Sequence, residues 1–195
     1  MKKILRCIIK FLVYVFLRIV FRIEIIGQEN VLNEGAYIIC GNHRSNWDPV
    51  FLVMCTKRNM HFMAKKELFK NGFVKYLADV FDIFPVSRGT RDMAAMKKSL
   101  QILETGECLS VFPEGTRNGL EKNGNAQNGA AFMCLRTGTP VIPVGISGEF
   151  KPFRKITIHY GKPLDFSEYY SKKPEKEVLD KVSQEIMDEI IRLTK

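Results

Sequence analysis

The sequence predicts an α/β fold: a single domain with a mixed, mostly parallel central sheet flanked by helices, and an amphipathic helix at its amino terminus. Three observations predict it. Short apolar runs of strand length alternate along the chain with stretches of helical periodicity, the order that builds a largely parallel sheet. Several of those runs stop at polar turns carrying glycine, and ligands of an open α/β sheet bind at strand ends. No internal repeat, low-complexity tract or linker interrupts the 195 residues, enough for one domain with a real core.

Composition narrows the partners. Hydrophobic residues make up 46% and charged residues 26%, a globular balance, and the net charge is +9. A basic surface suits a nucleic acid, an anionic membrane or a phosphorylated substrate. No Lys/Arg-dense tract interleaved with aromatics is present, nor any zinc-finger or homeodomain spacing, which argues against nucleic acid. The five cysteines, Cys7, Cys40, Cys55, Cys108 and Cys134, are scattered, mostly within apolar runs and without a Cys-x-x-Cys pair. They read as reduced core residues, with no disulfide or metal framework.

Residues 1–22 form the first segment. From Ile4 to Phe21 only Arg6, Lys10 and Arg18 are charged. Arg18 and Arg22 stand where a secretory signal needs small residues. A charge near the centre of a spanning helix costs about 2.5–3.5 kcal/mol, which disfavours spanning. The reading adopted is a helix lying in one membrane interface, its cations meeting anionic headgroups and its Phe, Leu and Ile entering the acyl region. Spanning, or packing on the protein itself, is the alternative.

Residues 21–26 alternate as a strand and 28–35 form a loop. Tyr37-Ile38-Ile39-Cys40 with Gly41 reads as a buried strand ending in a tight turn. It delivers Asn42-His43-Arg44-Ser45-Asn46-Trp47-Asp48. A histidine with a carboxylate nearby can form a base and its orienter: imidazole changes charge near neutral pH, and a carboxylate on one nitrogen fixes the tautomer. A spacing of five rotates the second side chain about 140° on a helix, so the pair meets only if residues 44–47 turn back. The competing reading is a plain strand-to-helix turn, with Asp48 as N-cap, Pro49 at the first helical position and Ser45–Asp48 at capping-box spacing. The two are compatible if one Asp48 oxygen serves the helix and the other the imidazole.

Residues 49–55 then form a short apolar helix, and 60–64 a strand that delivers Lys65 and Lys66, two point charges able to bind phosphate or simply to be solvated. Residues 68–80 are helical, broken at Gly72. Residues 81–86 form a strand ending at Ser87-Arg88-Gly89, a phosphate fork or a surface turn. Residues 92–104 form a helix whose Met93, Met96, Leu100 and Leu103 face the core. Residues 108–112 form a buried strand that stops at Pro113-Glu114-Gly115-Thr116-Arg117-Asn118. There Glu114 can accept from a hydroxyl or hold an arginine, Gly115 lets a ligand approach the backbone, and Arg117 can grip a phosphate. Residues 119–129 form a loop and 130–136 a helix. Residues 140–146 form a strand that Pro143 assigns to an edge or a bulge. Residues 156–160 form a strand, and residues 175–194 an amphipathic helix. His61 and His159 have no carboxylate at a usable spacing and read as structural.

Four of these stretches together resemble the glycerolipid acyltransferases. Asn42 to Asp48 resembles their His-x4-Asp motif, and Phe84-Pro85-Val86-Ser87-Arg88 their second block. Phe112-Pro113-Glu114-Gly115-Thr116-Arg117 is similar to the third and Val141-Ile142-Pro143-Val144 to the fourth. The resemblance implies His43 as general base and Asp48 as its orienter, with Lys65, Arg88, Glu114, Gly115, Thr116 and Arg117 binding a phosphate-bearing glycerol. Residues 23–195 would then be the catalytic domain and residues 1–22 its membrane helix, on the cytoplasmic face of the membrane as a monotopic or peripheral protein. The implied reaction moves an acyl chain from acyl carrier protein or coenzyme A onto the free hydroxyl of lysophosphatidate, without cofactor or metal. Glycerol 3-phosphate or another lysolipid as acceptor, and non-catalytic binding of anionic lipid, are the competing readings. The chain departs from the family at Gln127 and Asn128, where members often carry a basic residue, and at Asn118, where they carry serine. Its amino-terminal segment is also short for the family.

Overall fold

The computed structural model describes residues 2–87, 92–115 and 127–195. Six helices and seven strands are found among them. In chain order they are α1 (Lys2–Val20), β1 (Arg22–Ile26), β2 (Ile38–Gly41), α2 (Asp48–Cys55), β3 (His61–Lys65), α3 (Gly72–Val80), β4 (Ile83–Val86), α4 (Met93–Glu104), β5 (Leu109–Val111), α5 (Gly129–Thr137), β6 (Val141–Gly148), β7 (Lys155–Tyr160) and α6 (Lys176–Leu193).

The strands form one sheet in the order β1-β7-β6-β2-β5-β3-β4. From β6 to β4 all neighbours are parallel. β7 runs antiparallel to β6, and β1 is parallel to β7. The polar turns after β2, β3, β4 and β5 therefore share one end of the sheet, as expected for an α/β ligand site.

Alternation along the strands divides the core. Ile38 and Cys40 of β2 join Ile102, Met133 and Ile186 from α4, α5 and α6 on one face. Ile39 joins Leu17 of α1 and Phe51 and Leu52 of α2 on the other. α6 docks where glycine leaves room: a Cβ on Gly145 of β6 would lie 2.4 Å from the Leu193 backbone.

Several predicted boundaries and contacts change. β4 begins at Ile83 because Asp82 takes φ 54°, left-handed backbone that an aspartate tolerates and a continuing strand does not. β6 is an interior strand, not an edge. Pro143 is accommodated because the ladder opens beside it. Val141 exchanges backbone hydrogen bonds with Leu164 and the Pro143 carbonyl accepts from Gly161, so the ring nitrogen faces the gap where the chain leaves β7. Cys7 is exposed; the other four thiols are buried. Burial pushes the thiols of Cys55 and Cys134 up to about 12.

The largest correction concerns α1. Arg6 and Lys10 point into the protein, not outward to headgroups. Arg6 donates from Nε to the Val80 carbonyl at 2.6 Å and pairs with Asp82 at 2.6 Å. Lys10 donates to the Thr56 carbonyl at 3.1 Å, and burial holds its ammonium below the ordinary range. Lys2 pairs with Asp79. The outward face is apolar instead: Ile4, Ile8, Phe11, Leu12, Val15 and Ile19 are exposed. No helix of the described residues is long and apolar enough to cross a membrane.

Candidate active site

The site begins with Asn42, the first residue past β2. Its side chain imitates a backbone unit: Nδ2 donates to the Ile146 carbonyl at 2.9 Å and Oδ1 accepts from Ile146 N–H at 2.7 Å. The β2–β6 ladder is thereby extended one step after the backbone has begun to turn. A buried amide satisfied on both ends is a rigid base for the next residue.

That residue is His43. Its N–H donates to Glu114 Oε1 at 2.8 Å, tying the end of β2 to the turn after β5. Its ring stacks on Phe112, with centroids 4.4 Å apart and planes 23° from parallel. Its Nδ1 lies 2.9 Å from Asp48 Oδ2. A carboxylate oxygen only accepts here, so Nδ1 carries the proton and the neutral ring keeps its lone pair on Nε2. Nε2 makes no hydrogen bond to a described residue.

Residues 44–47 make the return the spacing requires. Asp48 Oδ2 also accepts from Arg44 N–H and Ser45 N–H, each at 2.6 Å. The chain is thus wound around one carboxylate oxygen, and Asp48 is wholly buried. The capping reading is half realised. Ser45 N–H reaches the carboxylate three residues on, as in a capping box, and Ser45 Oγ accepts from Trp47 N–H at 3.2 Å. Asp48 is not the N-cap, however. Trp47 holds that position and Asp48 opens α2, where the helix dipole favours its charge. The proposed division of labour between its oxygens also fails: Oδ2 takes all three donors, and Oδ1 is buried without a hydrogen-bond partner among the described residues.

Of the remaining candidates, Lys65, Glu114 and Gly115 fall at the same end of the sheet. Lys65 ends β3, exposed, two strands from β2 and so roughly 10 Å away laterally. Ser87, after β4, is held by Asp92: one carboxylate oxygen accepts from Ser87 N–H at 2.8 Å, and the other caps α4 at Ala95 N–H, 2.9 Å. Gly115 takes φ 68°, and a Cβ there would meet Gln127 Nε2 at 2.1 Å, so the turn requires glycine. Arg88, Thr116 and Arg117 lie outside the described residues.

Sequence reasoning missed Asn42 as a brace, Phe112 as the floor under the imidazole, and the Glu114–His43 backbone bond. The signal for the first was its place directly before the histidine. The bond joins residues 71 positions apart, which no local pattern reports. Two departures now have places. Gln127 covers Gly115, and Asn128 is tied to α6 through Asp180 and Ser183. His61 does have a carboxylate, Glu107 at 2.6 Å, but the pair sits at the opposite end of β3 from Lys65.

A mostly parallel sheet whose strand ends carry a braced, carboxylate-oriented histidine defines the class, and the family follows from the sequence: the chain belongs to the Acyltransferase family, whose model matches residues 22–147. Among its relatives, the 1-acyl-sn-glycerol-3-phosphate acyltransferase of Streptococcus pneumoniae is 30% identical over 164 residues, 80% of this chain and 60% of that protein. The protein of the same name from Borreliella burgdorferi is 31% identical over 63% of this chain and 50% of its own length. That from Bacillus subtilis is 26% identical over 85% and 87%. The chain therefore spans only 50–60% of the length of the first two. The crystal structure of the 1-acyl-sn-glycerophosphate (LPA) acyltransferase PlsC from Thermotoga maritima superposes with a TM-score of 0.66 at 23% identity, covering 95% of this chain and 78% of that one, and shares the fold.

Proposed function

We propose that this protein transfers an acyl chain from an acyl thioester to the sn-2 hydroxyl of lysophosphatidate, forming phosphatidate at a bilayer surface. The observation that carries the proposal is the His43 Nδ1–Asp48 Oδ2 bond of 2.9 Å, which leaves Nε2 as the basic nitrogen. The names borne by the relatives supply the acceptor. As the hydroxyl oxygen attacks the thioester carbonyl, Nε2 takes its proton, and Asp48 stabilises the imidazolium that forms. The C–S bond then breaks, the thiol of acyl carrier protein or coenzyme A leaves, and His43 returns the proton to sulfur. A thioester is reactive enough to need no acyl-enzyme. Lys65, Arg88 and Arg117, with the Gly115–Thr116 turn, hold the acceptor's phosphate. The apolar stripe of α1 rests in the acyl region on the cytoplasmic side, bringing the site to its lipid.

The test supplies lysophosphatidate with acyl-carrier-protein or coenzyme A thioesters and follows free thiol and phosphatidate together. His43→Ala is expected to lower turnover by about 10²–10⁴ while leaving vesicle binding intact. Wild-type protein that binds vesicles yet acylates no lysolipid would overturn the enzyme reading in favour of a lipid-binding protein. Product from glycerol 3-phosphate alone would move the reaction to that acceptor.

A further inference from the structure

The carboxyl end of α1 meets a corner of the surface that the reaction does not use. Residues 149–154 join β6 to β7, and within them Phe153 is 70% exposed with φ 63°. An aromatic residue in left-handed backbone is strained, and strain of this kind clusters at functional sites. The position is fixed: Phe153 N–H donates to the carbonyl of Val20, the last residue of α1, at 2.6 Å.

A cavity of about 320 Å³ opens at the same place, lined by Arg18, Phe21, Arg22, Ile23, Glu24 and Lys155. Arg18 follows Phe11 and Val15 at helical spacing, so the cavity continues the outward stripe of α1. Arg18, Arg22 and Lys155 line it against one carboxylate, Glu24, while Lys151, Arg154 and Glu149 lie in the adjoining β6–β7 loop. Glu24 pairs with Lys155 at 2.8 Å and Glu149 with Lys151 at 3.2 Å. Arg18 donates to the Ile23 carbonyl at 2.7 Å, and Arg22 has no carboxylate partner among the described residues.

The topology puts this corner beside the catalytic end. β1 and β7 run opposite to β2, so Arg22 and Lys155, which open them, stand at the end where β2 delivers His43. The loop also touches the site's own turn. Arg44 donates to the Gly148 carbonyl at 3.1 Å, and its guanidinium lies 5.9 Å from the centre of the Phe150 ring.

We propose that this corner is a second bilayer contact: Phe153 enters the acyl layer, and the cavity between Arg18, Arg22 and Lys155 takes the phosphate of an anionic lipid headgroup. The proposal rests on the reading of α1 as a membrane helix. A bilayer is favoured over a soluble anion because only a bilayer rewards an exposed aromatic ring and an adjoining apolar stripe as well as the cations. One helix in an interface leaves the protein free to roll about the helix axis. A second contact, through the β6–β7 loop and the first residues of β1 and β7, adds groups outside the helix that oppose the roll and hold the His43 end of the sheet at the lipid surface.

The test uses the full chain with Phe153→Trp in a Trp47→Phe background, which puts the only tryptophan at position 153. Vesicles contain phosphatidylcholine, with or without phosphatidylglycerol, and brominated acyl chains. Blue-shifted, quenched emission on phosphatidylglycerol vesicles is expected. Arg22→Glu with Lys155→Glu should weaken binding to those vesicles about tenfold or more, with phosphatidylcholine binding and thermal melting unchanged. Arg22→Ser is the milder check should the double variant fold poorly. Unquenched indole emission on vesicles that the protein does bind overturns the second contact alone. A chain that binds no vesicle overturns both this contact and the membrane reading of α1. Tight binding of inorganic phosphate, lost in Arg22→Ser and with the indole emission unquenched, makes the cavity a soluble-anion site and also overturns the proposal.

Discussion

Asp48 is the residue on which the local structure turns. One oxygen gathers the imidazole and two backbone amides, so the side chain builds the turn and orients the ring at once. Asp48→Asn keeps the shape but offers an amide that can meet those donors with only its carbonyl, and it removes the charge that stabilises the imidazolium. Turnover is expected to fall by about 10²–10⁴ with a much smaller change in KM. A loss of less than about tenfold in kcat would count against His43 as the base. The residue types at this site were legible in the sequence. Their shared use of Oδ2 was not, because hydrogen-bond partition follows from backbone geometry and not from spacing.

At the scale of elements, the strand ends carry the candidate site and the helices set their level. Asn42 locks β2 to β6, Glu114 locks the β5 turn to β2, and Asp92 locks the β4 turn to α4. α6 supports β6 from one face, across Gly145. Gly145→Ala would drive a methyl group into the Leu193 backbone, an overpacking that costs about 1–3 kcal/mol. In a chain of this size the melting temperature should drop by roughly 3–10 °C, read by circular dichroism. An unchanged melt would show that the carboxyl end of α6 yields freely. The sequence placed α6 and its apolar face correctly but not the strand it leans on. Nor could it show that β6, with Pro143, is interior, since that depends on where β7 and Leu164 part.

At the scale of the whole molecule, α1 is a helix turned inside out relative to the simplest amphipathic expectation. Arg6 and Lys10 bond to carbonyls and a carboxylate of the domain, and a stripe of apolar side chains is left outside. The contribution of this apolar stripe to membrane attachment should therefore be only weakly sensitive to salt, because the stripe itself carries no charge to be screened. Phe11→Ser with Leu12→Ser should weaken partitioning into phosphatidylcholine vesicles by about tenfold or more without altering the melt, as neither side chain is in the core. Sedimentation with vesicles reads both expectations. Unchanged partitioning of the double variant would mean that a different surface carries the contact.

The sequence alone determined the class of fold, the order of nearly all the elements, the His43–Asp48 pair and the family. These depend on short-range periodicity and on motifs whose residues lie close together in the chain. The tertiary structure decided which face of α1 is outward, that β6 is interior, that Glu114 holds the backbone of His43, and that Arg22 and Lys155 stand at the same end of the sheet as the histidine. Each of these is a relation between segments far apart in sequence. It is fixed by strand order and direction, which a one-dimensional pattern leaves free and the packing of the core selects.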